Sequence, residues 1–323
     1  MIGSIALAAA GVPVVLAGWF VARNWAPDLP VAALAKRWAP PPSVFVPLQG
    51  MQVHLRDTGP RDDGLPIILI HGTSSDLHTW DGWVSELAAT RRVVCMDLPG
   101  FGLTGPAPDD DYSPERYARF IVDLLDHLEV PRAILAGNSF GGGVAWFTAV
   151  VAPSRVARLV LLDSAGYPLA SVSVPLGFRL ARLPLLNIVG HYVLPRRLIA
   201  ASVRNVYGDP ARASQATIDR YYDMTRRVGN RAFLAGHMAR RYFEKLSGRI
   251  SEVTQPTLIL WGSLDRLVAP ANAERFRADI AHSELIMFDG LGHVPQEEAP
   301  EMTLAAALPF LCAAPKGEPS TGR

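Results

Sequence analysis

Cysteine is scarce in this chain: two residues, Cys95 and Cys312, in 323. Neither stands in a metal-ligand or redox spacing, so a disulfide framework and a zinc site are excluded and two buried thiols are expected. An excess of charge of either sign is lacking as well. The net charge is +1, and the aromatic residues are not interleaved with a basic stripe, which excludes nucleic acid as an expected partner. No internal repeat is visible, and no low-complexity tract occurs outside a proline-rich stretch near the start and a polar tail. With 49% hydrophobic residues, the chain is a folded protein with a large core.

Charged residues are absent altogether from positions 2–22. At about 1.5 Å per residue such a run reaches across a hydrocarbon core of roughly 30 Å. Residues 1–23 are therefore expected to form an N-terminal transmembrane helix or signal anchor. Arg23, Lys36 and Arg37 follow the run. By the positive-inside rule they keep the catalytic part of a membrane-anchored, single-pass protein cytoplasmic. Pro27, Pro30 and the triplet Pro40-Pro41-Pro42 mark residues 24–43 as a stiff linker around a short amphipathic piece, Val31–Trp38.

From Val44 onward, short apolar runs alternate with helical patterns. This is the signature of an α/β fold with a mostly parallel central sheet and helices on both faces. Two alternating segments, Val44–Leu48 and 51–56, are expected to enter as an antiparallel pair. Continuous apolar runs at 67–70, 93–96, 133–136, 159–162 and 258–260 have the length of buried central strands and lack polar alternation. A last strand is expected at 284–288, with helices at 270–280 and 300–311 around it. The core is thus assigned to 44–166 and 254–313, with a disordered tail at 314–323. Residues 167–253 break the alternation with helical patterns, prolines and many arginines, and read as an inserted helical cap. Between Leu169 and Gln255 the local balance is +9. The simple reading of this excess, Arg179, Arg196, Arg197, Arg226, Arg227, Arg240 and Arg241 included, is solvated helix faces; the alternative is contact with anionic lipid.

The stretch Leu135-Ala136-Gly137-Asn138-Ser139-Phe140-Gly141 reads as an apolar strand running through Gly-x-Ser-x-Gly into a helix. A serine on so sharp a turn leaves no room for side chains two residues to either side, and Ser139 becomes the candidate nucleophile. Its hydroxyl needs a base, an acid that holds the base's tautomer, and amide donors facing the developing oxyanion. Loops that follow later strands supply His293, in Gly290-Leu291-Gly292-His293, and Asp265, in Trp261-Gly262-Ser263-Leu264-Asp265. The backbone amides of Phe140 and of Thr73, in His71-Gly72-Thr73, are the expected oxyanion donors. Asp163 is the alternative orienting acid. His71 is read as holding the oxyanion loop and Asp97 as a turn former, while His54, His78, His127, His191, His237 and His282 are read as structural or surface residues. Trp80 and Trp83 are expected to pack under the helix they open.

The ordered set of His71-Gly72, Asp97-Leu98-Pro99-Gly100-Phe101-Gly102, the Ser139 elbow, Asp265 and His293 resembles the alpha/beta-hydrolase superfamily over about residues 44–311. The resemblance implies a helical cap at the insertion and a serine hydrolase of the carboxylesterase or lipase kind. Such an enzyme cleaves carboxylic esters, or thioesters, of apolar acyl or aromatic groups through an acyl-enzyme. It calls for neither metal nor organic cofactor; its partners are a small apolar ester substrate and, through the N-terminal helix, the membrane. The Gly-Asn-Ser-x-Gly-Gly form is also similar to the carbon-carbon bond hydrolases of meta-cleavage type, the first alternative. In that group an aromatic residue commonly follows the histidine and a cap arginine holds the substrate; here Val294 follows His293. A non-catalytic ligand-binding protein on the same scaffold is the second alternative.

Overall fold

The computed structural model describes residues 15–168, 192–237 and 242–313. Its strands are β1 (Val44–Leu48), β2 (Met51–Thr58), β3 (Ile67–Ile70), β4 (Val93–Met96), β5 (Ala133–Asn138), β6 (Val156–Leu162), β7 (Thr257–Gly262) and β8 (Ser283–Phe288). They form one sheet in the order β1-β2-β4-β3-β5-β6-β7-β8. β2 runs against both its neighbours, and every pairing from β4 across to β8 is parallel. This is the mostly parallel sheet with helices on both faces that the alternation of apolar runs and helical patterns implies.

The continuous apolar runs have a direct cause. Successive side chains on a strand point to opposite faces, and here each face has its own core. Ile68, Ile70, Val94, Met96, Leu135 and Leu159 pack on one side with the helices Pro114–His127, Phe140–Val151 and Ala271–Asp279. Ile67, Leu69, Val93, Cys95, Ile134 and Val160 pack on the other with Asp81–Leu87 and Pro300–Cys312. Trp80 and Trp83 are fully buried in this second core, and Trp83 Nε1 donates to Thr303 Oγ1 at 3.0 Å. At about 1.5–3 kcal/mol per large apolar side chain, these two layers are the main source of stability. β8, at the sheet edge, is only partly buried.

Between β6 and β7 the described residues add no strand to the sheet. They form the helices Arg196–Val206, Gln215–Thr225 and Asn230–His237 and a 3₁₀ stretch, Phe243–Glu252. Upstream, the helix Val31–Trp38 is packed down, with Leu34 buried against Leu103 and Met224, and Trp38 Nε1 donating to Asp223 Oδ2 at 3.0 Å. Arg179, His191, Arg240, Arg241 and the tail at 314–323 lie outside the described residues.

Two expectations are corrected. The membrane-anchored, single-pass localisation, with its cytoplasmic catalytic domain, is overturned: among the described residues no helix is long and apolar enough to cross a membrane. The described part of the apolar N-terminal run is a helix over residues 15–23. At about 1.5 Å per residue it spans less than half of a hydrocarbon core; residues 1–14 of the expected span lie outside the described residues. Both cysteines are free thiols, but only Cys95 is buried and Cys312 is exposed. The helix Pro300–Cys312 buries Leu304, Ala307 and Leu311, a spacing that turns the next residue away from the sheet.

Candidate active site

The parallel strands β5, β6 and β7 all end at the same edge, and the loops that leave them meet there. β5 runs into the helix Phe140–Val151 through Ser139, whose φ of 54° and ψ of −118° is a strained turn for a residue with a side chain. The glycines around it are required by contact. A Cβ on Gly137 would lie 2.3 Å from the carbonyl oxygen of Gly141, and one on Gly141 would lie 2.3 Å from that of Ile70. Gly137→Ala is therefore expected to lower stability by about 1–3 kcal/mol, read from the urea midpoint, because backbone and not a flexible side chain must move.

The turn lifts Ser139 Oγ to 2.8 Å from His293 Nε2, and His293 Nδ1 lies 2.7 Å from Asp265 Oδ2. A carboxylate can only accept, so Nδ1 carries the proton and Nε2 is left as the acceptor for the serine hydroxyl. Each partner is itself fixed. Asp265 Oδ1 accepts the backbone N–H groups of Leu267 at 2.7 Å and Val268 at 3.0 Å. His293 donates its backbone N–H to Val206 O, and its carbonyl accepts from Asn138 Nδ2 at 2.9 Å. The structure thus brings together Ser139, His293 and Asp265. Asp163, the alternative acid, lies within 4.8 Å of both Asp265 and His293 and accepts the N–H of Gly262 at 3.0 Å.

The loop after β3 abuts the nucleophile, since a Cβ on Gly72 would stand 3.1 Å from Ser139 Cβ. Thr73, the next residue, therefore sits beside the elbow, and Phe140 supplies the first N–H of its helix, a group with no intrahelical acceptor. His71 Nδ1 donates to Gly72 O at 2.7 Å and Nε2 accepts from Leu98 N at 2.9 Å. Burial lowers its pKa, and this bonding requires the neutral ring. Asp97 accepts from Leu77 N, Leu103 N and His54 Nδ1, tying its own loop to the segment at Leu77 and to β2. The Phe140 ring meets Tyr117 at 4.9 Å, Phe243 at 5.2 Å and Phe101 at 6.1 Å, an aromatic wall next to the elbow.

Beside this site lies a charged cluster that sequence reasoning missed. Arg220, buried on the helix Gln215–Thr225, stands 3.2 Å from Asp76 Oδ2 and donates to Glu297 Oε1 at 2.9 Å. Tyr207 also donates to Glu297, at 2.8 Å. Asp76 accepts from His78 N and Nδ1. Burial opposes the charge on Asp76, but Arg220 and then His78 outweigh it and hold the carboxyl well below the usual range. Glu298 accepts from Gly208 N, Asp209 N and Gly292 N, joining the helical insertion to the His293 loop. The available signal was two adjacent acids just after the candidate histidine.

An eight-stranded, mostly parallel sheet with a strained serine at a strand-to-helix elbow and a histidine and aspartate in reach defines a class. The chain belongs to the alpha/beta hydrolase fold family, whose model matches residues 66–300. It is 30% identical over 261 residues to 2-hydroxymuconate semialdehyde hydrolase of Pseudomonas sp. strain CF600, covering 77% of this chain and 86% of that protein. To 2-hydroxy-6-oxo-2,4-heptadienoate hydrolase of Pseudomonas putida it is 28% identical over 275 residues, covering 82% and 94%. Among solved structures, a membrane phospholipase A described as a bacterial virulence factor superposes with a TM-score of 0.68 at 25% identity, covering 96% of each chain. The chain is a hydrolase of this fold.

Proposed function

We propose that the chain hydrolyses a carbon-carbon bond beside a ketone in a vinylogous diketo acid, using Ser139 as nucleophile, His293 as proton shuttle and Asp265 as the residue that orients His293. The observation that carries the reading is the similarity to two curated hydrolases of such ring-fission products over most of their length. These relatives favour the carbon-carbon alternative over the ester reading that the sequence motifs put first.

In this reading His293 Nε2 takes the proton of Ser139 Oγ as the oxygen attacks the ketone carbon. The oxyanion that forms is received by the N–H groups of Thr73 and Phe140. Collapse breaks the carbon-carbon bond; the leaving carbon keeps the electron pair as a dienolate and is protonated from His293. Water, activated by the same imidazole, then releases the acyl group from Ser139 as a carboxylic acid. Residues 44–166 and 254–313 are read as the catalytic core, and the described helices between residues 192 and 253 as its cap.

Ester hydrolysis is the second reading, and a specific observation favours it. Among the described residues, Arg220 and Arg231, the buried arginines of the cap, are already paired with acids, Arg220 with Asp76 and Glu297 and Arg231 with Asp28. Arg227 Nη2 donates to Thr104 O at 2.8 Å. The wall near Ser139 is aromatic, which suits an uncharged acyl chain. Steady-state rates on a vinylogous diketo acid and on p-nitrophenyl esters of graded chain length separate the two. The carbon-carbon reading expects kcat/KM at least about 100-fold higher on the diketo acid, a difference of some 2.7 kcal/mol in transition-state binding. Turnover of the esters alone would replace it by the ester reading.

A further inference from the structure

Two carboxyl groups crowd the base of the site, and the mechanism uses only one. Asp163 closes β6 with a φ of 46°, in the left-handed region, and its side chain is wholly buried. Its Oδ1 accepts from Gly262 N, while Oδ2 faces no donor. One oxygen of Asp163, one of Asp265 and a ring nitrogen of His293 all lie within 4.8 Å of one another. Asp265 is committed to accepting from Leu267, Val268 and His293. The further charge facing the pair, Glu298, is also negative and is engaged by backbone donors. Two buried carboxylates this close repel each other, and ionising the second beside the first is costly. An ionised oxygen without a donor is costly when buried, whereas a protonated one has a hydrogen to give. Burial, and next the charge of Asp265, push the Asp163 carboxyl well above the usual range.

We propose that Asp163 is a positioning residue: it stays protonated in the folded protein and donates its carboxyl O–H to Asp265, steadying that carboxylate against His293. The inference rests on the catalytic reading of Ser139, His293 and Asp265. Asn at position 163 supplies an N–H in place of the O–H, and Leu fills a similar volume without a donor. Without the donor, the negative charge on Asp265 is undiluted, holds the imidazolium harder and makes the free base scarcer at low pH.

The test is the rate at which a fluorophosphonate labels Ser139, measured against pH in wild type, Asp163→Asn and Asp163→Leu. Asp163→Asn is expected within about twofold of wild type. Asp163→Leu is expected to move the acid limb up by about one pH unit, a roughly tenfold loss on that limb. A Leu profile that superimposes on wild type, or an Asn variant that falls with Leu, overturns the role of Asp163 and leaves the nucleophile standing. Wild type that does not label at all removes the catalytic reading and this inference with it.

A second measurement holds even where the Leu variant does not fold. A carboxyl protonated in the native state and ordinary when unfolded takes up a proton on folding, so its contribution to wild-type stability falls as pH rises above about 4. Asp163→Asn lacks that proton. Its folding equilibrium should therefore gain about tenfold on wild type per pH unit above that point, by urea titration; parallel curves would overturn the proposal.

Discussion

Ser139→Ala should lower kcat on the order of a million-fold on whichever substrate the wild type turns over, while its urea midpoint stays within error. The size follows from the site acting as a unit. Without the oxygen at 2.8 Å from His293 Nε2, the base has nothing to deprotonate and the amides of Thr73 and Phe140 receive no covalent intermediate. His293→Ala should fall nearly as far and Asp265→Asn less, because Asp265 acts through the tautomer it imposes. Unchanged substrate binding to Ser139→Ala, by calorimetry or equilibrium dialysis, separates this loss from a collapsed pocket. Residual turnover above about 1% of wild type would show that a different group performs the attack.

The second large effect is on stability. Arg220→Met should cost about 3–5 kcal/mol in urea unfolding at pH 7, since it strips the cation from two buried acids at once. Asp76 and Glu297 would then face each other across a space that the guanidinium now fills. The dependence on pH has a definite sign. Asp76 is held below its ordinary value, so its contribution is complete above about 3.9 and disappears as pH falls through the native value. The gap between Arg220→Met and wild type should accordingly shrink on acidification. A gap that stays constant as pH falls below about 4 would mean that lost packing, not lost charge, explains the cost. Because Glu297 lies four residues after His293, the variant should also lower kcat, by far less than Ser139→Ala.

The parallel sheet could be read from the chain because its strands carry the evidence locally. A run such as Ile67-Ile68-Leu69-Ile70 is apolar on both faces only if both faces are covered, as they are. The candidate site was legible for a related reason: Ser139, Asp265 and His293 each follow a recognisable strand, and parallel strands deliver their loops to one edge. What escaped needed contacts between distant segments. Arg220 looks like one more arginine of an arginine-rich segment until Asp76 and Glu297 are brought to it from other parts of the fold. Asp163 looks like an ordinary strand-end acid until Asp265 is placed beside it. Cys312 was misjudged because hydrophobic company in sequence is not burial: one step past Leu311, the helix has turned to solvent. The apolar N-terminal run misled as well: among the described residues no helix is long and apolar enough to cross a membrane, and a charge-free sequence does not by itself make a membrane span.

Ser139 Oγ must be the atom that attacks. Peptide mass spectrometry after incubation with a fluorophosphonate tests this most directly. A single adduct on Ser139 in folded wild type, lost in His293→Ala and in urea-unfolded protein, is the predicted result. Folded protein that turns over substrate yet carries an unmodified Ser139 would contradict it.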